Sequence, residues 1–113
     1  PTRIVDNPYT NVIRDNDKSI INIQETREIT NIKIHKGERE IGFFIFQNKI
    51  VLKALDERLD GKISKITKEH GFLYIIKHLV QKGFKVEGLP IATSRDIISI
   101  NSISDLDKLK DEK

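Results

Sequence analysis

The chain has 113 residues, 37% hydrophobic and 33% charged, a balance that supports one globular domain with a modest core and excludes a disordered chain. It contains no cysteine, which removes disulfides, thiolate metal sites and cysteine nucleophiles together. The net charge of +3 leans mildly toward an anionic partner such as nucleic acid.

No apolar run approaches the ~18 residues of a membrane-spanning helix. The opening PTRIVDNPYT lacks the apolar region of a signal peptide. Pro1 fits removal of an initiator methionine and hence a complete chain. A cytoplasmic protein with a single domain over residues 1–113 and no membrane partner is therefore expected.

Residues 1–9 read as irregular, with Asn7-Pro8 favouring a turn. Residues 11–13 and 19–23 flank Asp15-Asn16-Asp17 and read as a hairpin, because Asp and Asn tolerate turn geometry. Asp15, Asp17 and Ser19 also fall at the first, third and fifth positions of a calcium loop. Ile20 and Thr26 stand where that loop needs its Gly and its bidentate Glu, so the turn reading is preferred.

Residues 31–35 alternate apolar and polar, as in a strand with one wet face. Residues 36–39, KGER, read as a turn. Residues 41–46 have no polar face and read as a strand covered on both sides, with Gly42 marking a bulge or close approach. A turn at Asn48-Lys49 leads to a third strand at 50–52. These strands form an antiparallel meander over about residues 10–55.

A short helix is expected over about 53–60. Further on, at ~100° per residue, Leu73, Ile75, Ile76, Leu79 and Val80 share the side of Phe72, and Tyr74, Lys77, His78 and Gln81 take the opposite side. Ile63 and Ile66 fall off that stripe. A break at Gly71 resolves the mismatch and divides the region into helices over about 63–70, with Ser64 as cap, and 72–82. Gly83 then stops the second helix in the left-handed conformation, Phe84 packs back on Leu79, and Lys82 suits the negative helix end. Beyond it lie strands at 84–87 and 95–100 forming a short hairpin, a helix over 104–109 with Leu106 and Leu109 facing in, and a frayed tail at 110–113. The class is α+β, an antiparallel sheet packed on the central helices at about 63–82.

Three helices followed by a hairpin is the order of a winged helix, and a helix-turn-helix would place its turn at Gly71 with Ile66, Phe72 and Val80 making the apolar contacts. Thr67, His70 and Lys77 depart from that pattern, and no family is assigned. The candidate nucleic-acid-binding residues are Lys62, Lys65, Lys68, Tyr74, Lys77, His78, Gln81, Lys82 and Arg95. These side chains donate to phosphates, bond to base edges or stack.

No metal or cofactor is expected. Glu69, His70 and His78 are out of register across Gly71, and closed zinc sites want four ligands. His35 falls on a wet strand face. No catalytic signature is present, and Asp56, Glu57, Asp60 and Lys62 read better as helix ion pairs involving Arg58 than as a nuclease centre. The leading expectation is a small, non-enzymatic, regulatory or nucleic-acid-binding protein. The alternative is a homo-oligomeric, protein- or small-ligand-binding module of the inhibitor or sequestering type. It would use the surplus apolar surface around residues 41–46 as its interface.

Overall fold

Asp15 closes the first hairpin. Its Oδ1 accepts the N–H groups of Asp17 at 3.0 Å and Ser19 at 2.9 Å, and Lys18 takes the left-handed conformation at φ 64°. The side chain thus builds the turn that joins β2 (Thr10–Arg14) to β3 (Ile20–Glu25), as expected. A register shift after Ile13 pairs Arg14 with Ile20 and leaves Ile21 unpaired, a bulge near the hairpin end.

The computed structural model of this chain describes residues 1–29, 33–59, 62–68 and 71–111, and in the last helix the side chains of residues 103–107 and 110. It is a mixed α+β fold. Among the described residues there are two antiparallel sheets of two strands each and three α-helices.

The second sheet pairs β1 (Thr2–Asp6) with β4 (Lys36–Glu40), from Thr2↔Glu40 to Asp6↔Lys36. Both strands correct the sequence reading, which made residues 1–9 irregular and 36–39 a turn. Gly37 caused the second error. It is not in a positive-φ conformation, and a Cβ there would stand 2.6 Å from Asn11 Oδ1 and 3.2 Å from Pro8 Cγ. The glycine serves close packing of β4 on β2, not a turn. The meander therefore becomes two strand pairs, with β4 beside β2.

Past β4, Gly42 at φ 78° turns the chain out of register. Residues 43–47 form neither helix nor strand, which corrects the expected strand at 41–46. Residues 50–52, expected as a strand, belong to α1 (Asn48–Asp56). Their β-branched side chains suggested a strand, but Ile50, Val51, Ala54 and Leu55 recur at helical spacing and turn one face to the core, with Ala54 buried. α1 ends at Asp56, before the end of the expected 53–60 helix, because Glu57 is extended.

The expected helix at 63–70 is a turn over its described part. Ser64 Oγ accepts from the N–H of Ile66 at 3.2 Å and of Thr67 at 3.0 Å, and Lys68 reaches φ 60°. Ser64 does cap, but it caps one turn. Gly71 N–H donates to Lys62 O at 3.0 Å and closes the loop, while residues 69 and 70 lie outside the described residues. The break at Gly71 stands: α2 (Tyr74–Gln81) starts beyond it.

α2 buries Ile75, Ile76 and Leu79, the stripe that the phasing identified. It stops as expected. Gly83 sits at φ 89°, and Phe84 N–H donates to Leu79 O at 3.0 Å. The core joins these residues to Val12, Ile20 and Ile23 of the hairpin and to Ala54, with Phe44, Phe46, Val51, Leu73 and Val86 packed against it. Each fully buried branched side chain contributes roughly 1.5–3 kcal/mol.

The C-terminal hairpin does not form. Residues 84–87 form no strand, and the expected strand at 95–100 holds a 3-10 turn over Arg95–Ile97. Asp96 causes that turn by accepting Thr93 N–H at 2.6 Å and Thr93 Oγ1 at 2.8 Å. α3 (Ile103–Asp111) matches the expected terminal helix and includes Lys110 and Asp111 of the expected tail. Asp105 Oδ2 caps it, accepting from Asn101 N–H at 3.0 Å and Ser102 N–H at 2.9 Å. Leu106, expected to face in, is 44% exposed, and the Leu109 side chain lies outside the described residues.

Candidate ligand-binding cleft

Two glycines mark the starts of the segments that flank a cleft. Gly42 and Gly83 carry positive φ, 78° and 89°, and each lies where the chain leaves a regular element for a strip with no helix or strand. Residues 43–47 form one strip and 84–89 the other. Between them lies a cleft of about 580 Å³, with Ile20 and Ile23 of β3 and Ile76 and Leu79 of α2 also lining it. Phe43 is 57% exposed, Ile45 86%, Phe84 43% and Leu89 59%, so these apolar side chains face solvent beside an apolar interior.

The two strips are held differently. Phe44 and Phe46 pack on the core and against the ring of Phe72, with centroids 5.7 and 5.6 Å away. No backbone hydrogen bond holds residues 43–46 among the described residues. The second strip is tied by its carbonyls: Val86 O accepts from Ile20 N–H at 3.4 Å, Gly88 O from Arg14 Nη2 at 2.9 Å and Leu89 O from Thr2 N–H at 2.8 Å. Gly88 permits that approach, since a Cβ would lie 2.4 Å from Ile20 Cδ1 and 2.9 Å from Arg14 Nη2. Gly88→Ala is therefore expected to cost about 1–3 kcal/mol in urea unfolding, because Ile20 is core and Arg14 is ion-paired. Gly71→Ala, with nothing within 4 Å of its Cβ, should stay within about 0.5 kcal/mol.

Three polar features border the cleft. Glu40, only 6% exposed, accepts hydrogen bonds from Thr10 Oγ1 at 3.1 Å and from Gly42 N–H. Lys85 and Glu87 pair at 2.7 Å on the exposed strip; their shared hydrogen bond raises the lysine pKa and lowers that of the glutamate. Thr2 donates to Glu38, which holds Arg14 through two bonds, Nε to Oε2 at 2.8 Å and Nη2 to Oε1 at 2.6 Å.

The structure places the residues expected to touch nucleic acid in different settings. Tyr74, placed on the wet side by phasing, packs against the core, and its hydroxyl is buried with no hydrogen-bond partner among the described residues. His78 is also drawn inward. Its side chain is 13% exposed, and Nε2 lies 2.9 Å from Glu57 Oε2, with Lys82 Nζ 3.8 Å from the same oxygen. Glu57 thus pairs across to α2 rather than with Arg58. Lys62 Nζ donates to Leu55 O at 3.0 Å, at the end of α1, where a cation suits the orphan carbonyls. Lys65, Lys68, Lys77, Gln81, Lys82 and Arg95 are exposed, Arg95 in the 3-10 turn rather than in a wing. No supporting helix precedes α2 within residues 62–68, so the helix-turn-helix arrangement is absent there.

His35 is exposed, but residues 33–35 form no strand, and residues 31 and 32 of the expected strand at 31–35 lie outside the described residues. Among the described residues no group of three or more His, Asp or Glu side chains is placed to hold a metal ion. Among them, too, no helix is long and apolar enough to cross a membrane.

Sequence reasoning noted the apolar excess of residues 41–46 but assigned it to a strand, and it missed Glu40 and the facing strip at 84–89. The available signal was an acid set immediately before the most apolar run of the chain. No protein-family model, curated protein or solved structure matches this chain.

Proposed function

We propose that this protein is a non-enzymatic small-ligand-binding module, which takes an apolar molecule into the cleft between residues 43–47 and 84–89. One observation carries the reading: a concavity of about 580 Å³ whose interior is Ile20, Ile23, Ile76 and Leu79 and whose mouth exposes Phe43, Ile45, Phe84 and Leu89. Small-molecule sites are typically concave, of roughly 300–1,000 Å³, mostly apolar, with a few placed polar groups. Exposed phenylalanine and isoleucine on opposite walls keep apolar surface in water, and a ligand between them removes that surface.

Titration with the uncharged dye Nile red tests this. Saturable binding is expected, weakened by Ile45→Ser or Leu89→Ser by roughly fivefold each, the loss of about 1 kcal/mol of apolar contact. Ile103→Ser serves as the control, since Ile103 is 85% exposed on α3 and does not line the cleft. If Ile103→Ser weakens binding equally, or if no saturable binding occurs, the cleft is not the site.

A further inference from the structure

Glu40 is a buried acid on the wall of an apolar cleft, and the hydrogen bonds its side chain accepts come from neutral groups. It is 6% exposed and lines the cavity. Both of its side-chain partners, the Thr10 hydroxyl and the Gly42 N–H, are neutral donors. A carboxylate offers about four acceptor sites, so capacity remains after these two bonds. Among the described residues no Lys, Arg or His nitrogen pairs with it. Arg39, adjacent in sequence, is committed elsewhere: its Nε donates to the Glu40 backbone carbonyl at 3.2 Å, and its guanidinium lies 4.5 Å from the centroid of the Tyr9 ring. At the mouth, Lys85 and Glu87 neutralise one another.

We propose that the cleft selects an apolar amine, a primary alkyl- or arylalkylammonium whose charged head donates to Glu40 while its hydrocarbon body lies along Ile76, Leu79 and Phe84. The inference rests on the ligand-binding reading above and names the chemical class of its ligand. Charge complementarity decides the head group. A buried carboxyl is costly when unmatched, and a charge-assisted hydrogen bond is roughly twice as strong as a neutral one. A carboxylate-headed amphiphile of equal length is repelled at the same point.

The test compares n-octylamine, 1-octanol and octanoate with the full chain at pH 7, read by displacement of Nile red and by the amide resonance of Gly42, which donates to the Glu40 carboxyl. Octylammonium is expected to bind about tenfold or more tightly than octanol, with octanoate weakest. The Gly42 resonance should move with the amine and stay nearly still with the alcohol. In Glu40→Gln the three affinities should converge near that of octanol. The ligand series on the unaltered chain decides the matter even if that variant folds poorly. Octanol binding with no preference for the amine overturns the amine inference alone. Failure of all three to displace the dye overturns the inference and the ligand-binding reading together.

Discussion

Ile75→Ala is expected to lower the unfolding free energy by about 3–4 kcal/mol, the largest effect of any single truncation in the core. Ile75 has 0% exposure and shares one core cluster with Ile76 and Leu79 of α2 and with Val12, Ile20 and Ile23 of the hairpin. Its removal loses transfer energy and leaves a void that β3 and α2 cannot easily fill, since both are anchored at their ends. The Asp15 turn fixes one, and the Gly83 stop fixes the other. Against a total stability of roughly 5–15 kcal/mol for a small domain, such a loss is a large fraction. Urea unfolding followed by far-ultraviolet circular dichroism measures it directly. Lys77→Ala, two residues along on the exposed face, should change stability by less than about 0.5 kcal/mol. Equal effects at the two positions would refute the assigned face of α2.

Glu38→Gln is expected to cost about 2 kcal/mol at pH 7 and progressively less in acid. The Glu38 carboxylate, 15% exposed, holds Arg14 through two bonds of 2.8 and 2.6 Å and accepts from Thr2. Arg14 in turn donates to Lys18 O at 2.7 Å and Gly88 O at 2.9 Å. One ion pair therefore joins both sheets, the hairpin turn and a wall of the cleft. The hydrogen bond from Arg14 is the main cause that holds the Glu38 pKa below its ordinary value; desolvation opposes it, and the bond from Thr2 assists it.

The sign follows from that lowering. A carboxyl bound less tightly to protons when folded stabilises the fold at pH above its unfolded range, about 4–5. Its contribution is then lost as pH falls through the depressed folded value. Stability of the wild-type and Glu38→Gln chains should therefore converge toward low pH. A constant difference across the acid range would mean that the pair contributes by packing alone.

Local chemistry accounts for what was legible. The buried stripe of α2 recurs at helical spacing, Gly83 supplies the positive φ that its stop requires, and Asp15 carries the turn oxygen that its hairpin uses. Each signal lies within a few residues of the structure it specifies. The misread elements depend on distant partners. Thr2–Asp6 becomes a strand only because Lys36–Glu40 returns beside it, and Gly37 looks like a turn residue until Asn11 stands against its Cα. Residues 50–52 favour a strand by side-chain type, yet their apolar positions align with Ala54 and Leu55 once they pack against α2.

The candidate site divides the same way. Phasing placed Tyr74 and His78 opposite the apolar stripe, and packing overrode it: the Tyr74 ring lies against the core and His78 meets Glu57 beyond the end of α1. Sequence by itself determined the α+β class, the face and the stop of α2, and the first hairpin, because periodicity and turn chemistry are local. Tertiary structure alone decided the pairing of β1 with β4, the cleft and the burial of Glu40. These depend on which remote segments the chain brings together, and that information is spread over contacts between residues far apart in sequence.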